Sequence, residues 1–171
     1  MTKKGYLTPQ EYKAIRESLG FTQEEVADFH HLQSVRTIKK WERGDSYVSE
    51  LACDKITSLL ERVNWAIKEA LKVYKDFQEK HPEDEIEVTL IVYPEECYQK
   101  FAVGFEDLPN NVHRAMVKRL YLALREMNID TGIVLFNPQD YFTFLAVNNL
   151  TDNQASRGAW ASDYRSRLLL T

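Results

Sequence analysis

Two stretches decide how this chain is read: Phe21-Thr22-Gln23-Glu24-Glu25-Val26-Ala27 and Ile38-Lys39-Lys40-Trp41-Glu42-Arg43-Gly44. In the first, the Thr22 hydroxyl can accept from the amide three residues on, while the Glu25 carboxylate reaches back to the Thr22 amide. This reciprocal cap starts a helix that runs through Val26, Ala27 and Phe29. In the second, Val35, Ile38 and Trp41 recur every third residue and share the inward face of a helix. Ser34 is placed to cap that helix, and Gly44 closes it. Both helices are too short to persist alone and must pack on something.

Outward on the N-terminal side, Thr8-Pro9-Gln10-Glu11 offers a capping Thr, a Pro at the first helical position and an acid three residues after the cap. Tyr12, Ile15 and Leu19 follow at helical spacing, and Gly20 marks a stop. Three short helices therefore fit between residues 8 and 44. Outward on the other side, a turn at Asp45–Val48 precedes Ser49, which can cap a long helix. Ala52, Ile56, Leu59, Val63, Ala66, Ala70, Val73 and Phe77 alternate spacings of four and three, a coiled-coil-like seam. At ~1.5 Å per residue this helix would run about 40 Å. Leu60, Ile67, Leu71 and Tyr74 widen the stripe, so it suits packing within the chain and dimerisation equally. His81-Pro82-Glu83-Asp84-Glu85 ends it and forms the best domain boundary.

Beyond that boundary the sequence repeats itself with a shift of 43 residues. Ile86 aligns with Ile129, Tyr98 with Tyr141, Phe101 with Phe144, Asn110 with Asn153, Arg114 with Arg157 and Tyr121 with Tyr164. Leu90-Ile91-Val92-Tyr93 falls on Ile133-Val134-Leu135-Phe136. Each copy reads as a buried strand, a short helix and a longer helix, with Asn137-Pro138-Gln139-Asp140 making the aromatic Tyr141–Val147 run helical. One strand per copy is not a sheet, so the two strands must pair under covering helices. The expected fold is mainly α (α+β): a helical bundle over 1–48, a long connecting or dimerisation helix over 49–81, and an α+β domain over 85–171. That last domain is built of two strand-helix-helix copies, 85–128 and 129–171.

Composition narrows the function. The 171 residues are 44% hydrophobic and 28% charged, an ordinary globular mixture. No apolar run approaches the roughly 20 residues of a membrane span, and Met1-Thr2-Lys3-Lys4 leads into charged sequence, so a cytoplasmic protein is expected. Cys53 and Cys97 are too few and wrongly spaced for a disulfide framework or a zinc site. The net charge of −4 disfavours indiscriminate coating of nucleic acid. It is unevenly spread: residues 1–75 carry 13 basic and 11 acidic side chains, and residues 76–171 carry 9 and 15. Ser34–Arg43 holds four basic residues against Glu42 alone, a local positive helix on an acidic body.

With these features in place, Phe21–Gly44 resembles the helix-turn-helix of the lambda-repressor/Cro superfamily, the XRE-type regulators. Phe21–Ala27 is similar to the family's L-[ST]-Q-x-x-[LV]-A segment, and Ile38–Gly44 to its I-x-x-[WL]-E-x-G ending. The resemblance implies a recognition helix capped by Ser34 that faces the major groove of double-stranded DNA with Val35, Arg36, Thr37 and Lys40. Arg36 suits a bidentate contact with guanine, and Val35 a thymine methyl. Gln23, Ser34, Lys39 and Arg43 would touch phosphates, which set register without reading sequence. For Lys39 and Lys40 the competing reading is a solvated helix face; their place in a complete motif favours DNA. His31 stands where the family has Gly, in a turn one residue longer; a non-Gly residue can adopt the left-handed conformation at modest cost, so the departure is compatible with the fold. A narrower resemblance, from Glu11 to about Leu71, is to the anti-CRISPR-associated autorepressors and their relatives, which implies a homodimer on an inverted repeat.

No other motif competes. His30, His31, His81 and His113 lack ligand spacing, and there is no phosphate loop or nucleophile elbow, so no metal, cofactor or enzymatic activity is expected. Glu95 and Glu96 belong to a helix start, and Tyr98 and Tyr141 read as anchors of the repeat. Arg114 and Arg157 read first as ion-pair partners within each copy and second as the lining of an effector pocket. The expected function is a dimeric repressor; the alternative is an antitoxin-type interaction protein with a DNA-binding head.

Overall fold

The computed structural model describes residues 6–170, so the leading Met1–Lys4 segment discussed above lies outside the described residues. The chain divides into two compact units, Met1–Lys68 and Glu69–Thr171. The division falls inside one helix that the sequence sets apart as a connector. The physical reason is that each end of that helix has its own core to cover.

In the first unit, α1 (Pro9–Ser18), α2 (Gln23–Phe29) and α3 (Arg36–Arg43) lead into α4 (Glu50–Lys80). The capping boxes at Thr8–Glu11 and Thr22–Glu25 are both formed. Tyr12, Leu19, Val26, Ile38, Trp41 and Ile56 are all but completely buried and make the core. The left-handed turn falls on His31, with φ 57°. Gly44 caps α3 at φ 79°, where L side chains are strained.

The α4 seam departs from the heptad reading. Ala52, Ile56, Leu59 and Val63 are buried as expected, but the buried stripe then continues through Ile67, while Val73 and Phe77 are exposed. An ordinary α-helix drifts by ~20° per heptad against a 3.5-residue repeat, so a strict seven-residue stripe turns away from a fixed core. Leu71 and Tyr74, a step around the helix, pack instead in the second unit.

The second unit runs β1 (Glu87–Val92), α5 (Glu95–Phe101), α6 (Asn110–Glu126), β2 (Asp130–Leu135), α7 (Pro138–Asn148) and α8 (Gln154–Leu169). The strands pair in parallel from Glu87↔Asp130 to Val92↔Leu135, so every partner is its own repeat equivalent. Alternating side chains serve opposite faces of this two-stranded ribbon. Val88 and Leu90 join Leu120, Leu124 and Ile129 on one face, and Ile91 and Val134 join Trp160 and Ala161 on the other. Arg165 reaches across both strand starts, bonding Glu87 at 3.3 Å and Asp130 at 2.8 Å over Gly132, where any Cβ would collide with it.

The two copies have diverged where they are polar. Tyr98 and Tyr141 are both buried, yet Tyr98 Oη donates to the Phe105 carbonyl at 2.7 Å and Tyr141 Oη to Asp152 at 2.7 Å. Arg157 is buried and donates to Asp152 at 3.0 Å, while its equivalent Arg114 is exposed. The position aligned with Asp152 is Pro109, whose side chain has neither a charge nor an acceptor to offer a guanidinium. Only the second copy thus forms the ion pair the sequence suggested for both. Trp160 is fully buried, with its indole N–H on Asp140 at 2.7 Å, and Trp65 is exposed.

Candidate nucleic-acid interface

Helix α3 carries the candidate base-reading residues, and its two faces separate cleanly. Ile38 and Trp41 are buried, and Arg36, Lys40 and Arg43, on the opposite side at helical spacing, are exposed. Lys39 flanks this outward face and is exposed too. Val35 and Thr37 sit on its two borders, half-buried. Of the four predicted base contacts, Arg36 and Lys40 therefore present their side chains fully, and Val35 and Thr37 only by an edge.

The start of α3 is shifted by one residue from the expected cap. Val35 already has helical angles, and no side chain caps from it. Ser34 Oγ nevertheless accepts from the Arg36 amide at 3.2 Å, and the Thr37 amide donates to the Ser34 carbonyl at 3.3 Å. Ser34 thus does the work of a cap, satisfying a donor that the helix leaves free.

A buried polar node holds α3 against the other helices. Arg16, on α1, donates to the Phe21 carbonyl at 2.6 Å and pairs with Glu42 at 2.5 Å, with both side chains under a tenth exposed. Glu42 also accepts from Gln23 Nε2 at 2.7 Å. One carboxylate therefore ties α1, α2 and α3 together, and it balances a charge that would otherwise be buried alone. The Gln23 side chain gives this node one of its two amide N–H groups, and the residue itself stands at the first position of α2.

The structure gathers the phosphate candidates Gln23, Lys39 and Arg43 around one shallow depression with Glu42 and Lys13. Lys13 is the residue sequence reasoning missed. It lies one turn into α1, and nothing local distinguishes it from a solvated lysine; only the tertiary packing sets it beside Lys39. Its ion pair with Glu17, at 3.9 Å, and the Arg43–Asp45 pair at 2.8 Å are both exposed. Such pairs hold their partners weakly. Ser34 stands apart, at the leading end of α3.

Behind α3 lies an aromatic cluster of Tyr12, His30 and Trp41. His30 Nε2 lies 3.0 Å from Tyr12 Oη, and its ring meets Trp41 edge-on at 6.0 Å. Burial, with Lys55 and His31 nearby, pushes the His30 pKa down to about 4, so the ring is neutral at pH 7. Lys55 in turn sits over the Phe29 ring at 5.7 Å.

Among the described residues no helix is long and apolar enough to cross a membrane, and no cluster of His, Cys, Asp and Glu is arranged to hold a metal ion. No curated protein matches the chain. The helix-turn-helix family model matches residues 13–65, a segment that begins at Lys13 and takes in α2, α3 and the first half of α4. The match marks residues 13–65 as a helix-turn-helix domain of the XRE type, which points to a DNA-binding transcriptional regulator.

Proposed function

We propose that the chain is a homodimeric autorepressor that binds an inverted-repeat operator and belongs with the anti-CRISPR-associated autorepressors. The observation that carries the DNA reading is the outward face of α3, where Arg36, Lys39, Lys40 and Arg43 stand exposed while Glu42, the single acid of the helix, is turned inward onto Arg16. Arg36 reads a guanine through its bidentate fork, and Lys40 supports base contact from the next turn. Lys39, Arg43 and Lys13 engage phosphates on one side of the helix. Exposed Val73 and Phe77, a turn apart on α4, support a second copy as the partner. Two heads would then address half-sites one helical turn apart, about 34–36 Å.

Selection of bound sequences from a random duplex pool tests this directly. The expected product is a near-palindrome with half-site centres about 10 base pairs apart. Arg36→Ala is expected to cost about 1–3 kcal/mol and to relax preference at one position of each half-site. Recovery of no shared sequence, or an unchanged operator affinity for Arg36→Ala, would overturn the assignment.

A further inference from the structure

The second unit contains a cavity of about 360 Å³ beside β1, between α6 and the first turn of α8. Its size lies within the roughly 300–1,000 Å³ of small-molecule sites, and it is mostly apolar, as those sites are. Phe101, Phe105, Met116 and Val117 supply much of the wall. The polar groups converge from several elements: Tyr74 from α4, Thr89 from β1, Tyr93 just after it, His113 from α6, and Gln154 and Arg157 from α8.

Two of these polar groups are unpaired. Thr89 Oγ1 and His113 Nδ1 are buried without a hydrogen-bond partner, and His113 is only 4% exposed. A buried polar atom left unpaired costs about 1–3 kcal/mol, so such atoms call for an explanation. The repeat supplies a contrast. The residue aligned with His113 is Ser156, whose hydroxyl bonds Thr151 and Asn153 carbonyls at 2.8 and 2.9 Å. The residue aligned with Thr89 is Gly132, which has no side chain to satisfy and lies under Arg165. The second copy closes its polar accounts internally; the first leaves two unpaired atoms on residues that line the cavity.

The charge of the lining favours an anion over a cation. No Asp or Glu lines the cavity, whereas Arg157 does. Asp152 accepts from Arg157 Nη1 at 3.0 Å, which leaves other donors of the fork for a second acceptor. Gln154 and Arg157 also lie in the first turn of the 16-residue α8, where the helix dipole favours an anion. We propose that this cavity binds a small aromatic carboxylate, with its ring against the apolar wall and its carboxylate at Arg157 and the start of α8. Thr89 and His113 bond a polar substituent on the ring. The His113 ring meets that substituent as neutral imidazole, because burial holds its pKa near about 4. The site is internal to the second unit and does not rest on the DNA reading.

The test titrates the full chain with benzoate, 1-naphthoate and indole-3-acetate, each against its primary amide, by calorimetry and by the ring-nitrogen resonances of His113. Gly158 lines the cavity on α8 with open space where a Cβ would go, so Gly158→Trp is expected to fold and to fill the mouth. At least one acid is expected to bind saturably, with its amide about tenfold weaker and Gly158→Trp about tenfold weaker again. A shift of the His113 resonances should accompany binding. The site is refuted if none of the three acids saturates in the millimolar range, or if Gly158→Trp binds like the natural chain. Equal binding of acid and amide refutes the carboxylate assignment. Should near-ultraviolet circular dichroism show Gly158→Trp unfolded, Val103→Trp, from another exposed position of the lining, makes the same decision.

Discussion

Glu42→Gln removes one negative charge and leaves the side-chain shape unchanged, so it isolates the contribution of the buried node. In the natural chain Glu42 faces Arg16 at 2.5 Å and Gln23 Nε2 at 2.7 Å, with the Arg16 and Glu42 side chains 8% and 7% exposed. Breaking one partner of a pair buried to this degree costs about 3–5 kcal/mol, because the surviving charge is stranded. Arg16 retains the Phe21 carbonyl at 2.6 Å and the exposed Glu17 at 3.2 Å, so the expected loss is toward the lower end, about 2–4 kcal/mol. The loss belongs to the first unit. It is read from urea dependence of amide exchange in α2 and α3, with exchange in α8 as the internal control. Arg16→Met combined with Glu42→Leu removes both charges and is expected to recover most of the loss. A Glu42→Gln chain whose α2 and α3 amides keep their protection to within about 0.5 kcal/mol would refute the claim that this carboxylate holds the helices together.

Three further outcomes follow from the same geometry. Lys13→Ala is expected to weaken binding to all duplex sequences alike and to reduce the salt slope of log K by about 1, as one lost phosphate contact does; an unchanged slope removes Lys13 from the interface. His31→Gly relieves a non-Gly residue at φ 57° and should leave thermal stability unchanged or raise it by up to about 1 kcal/mol, whereas His31→Val should cost about 1–2 kcal/mol. His30 and His113 both have pKa values near about 4 when folded against an ordinary 6.5. The unfolded chain therefore binds more protons between those values, and stability that is full above pH 6.5 falls as the pH drops toward 4. At ~1.4 kcal/mol per unit the loss is a few kcal/mol per histidine. His113→Phe should flatten the profile of the second unit, and a urea midpoint that does not move between pH 7 and 4.5 would contradict it.

What sequence alone determined here is whatever short-range chemistry dictates. Helix starts are local: a hydroxyl, a free amide three residues on and a returning carboxylate lie within one turn, so Thr8–Glu11 and Thr22–Glu25 were legible without any partner. The pairing of β1 with β2 was legible for a different reason. A duplicated segment with one strand per copy has few ways to satisfy a strand edge; that the two run parallel, each residue opposite its repeat equivalent, came only from the structure. The tertiary structure decided the matters in which distant residues compete for one group. Gln23 stands at a helix N-terminus in the sequence, but its amide bonds Glu42, nineteen positions away. Lys13 joins Lys39 only because α1 and α3 are packed together. The α4 seam matches a heptad on paper, yet a straight helix turns it out of the core by Val73. Arg114 and Arg157 occupy matching positions, and only the second has an acid within reach. Capping and strand repetition are encoded within a few residues or by copying; burial, ion pairing and surface neighbourhood depend on where the rest of the chain comes to lie.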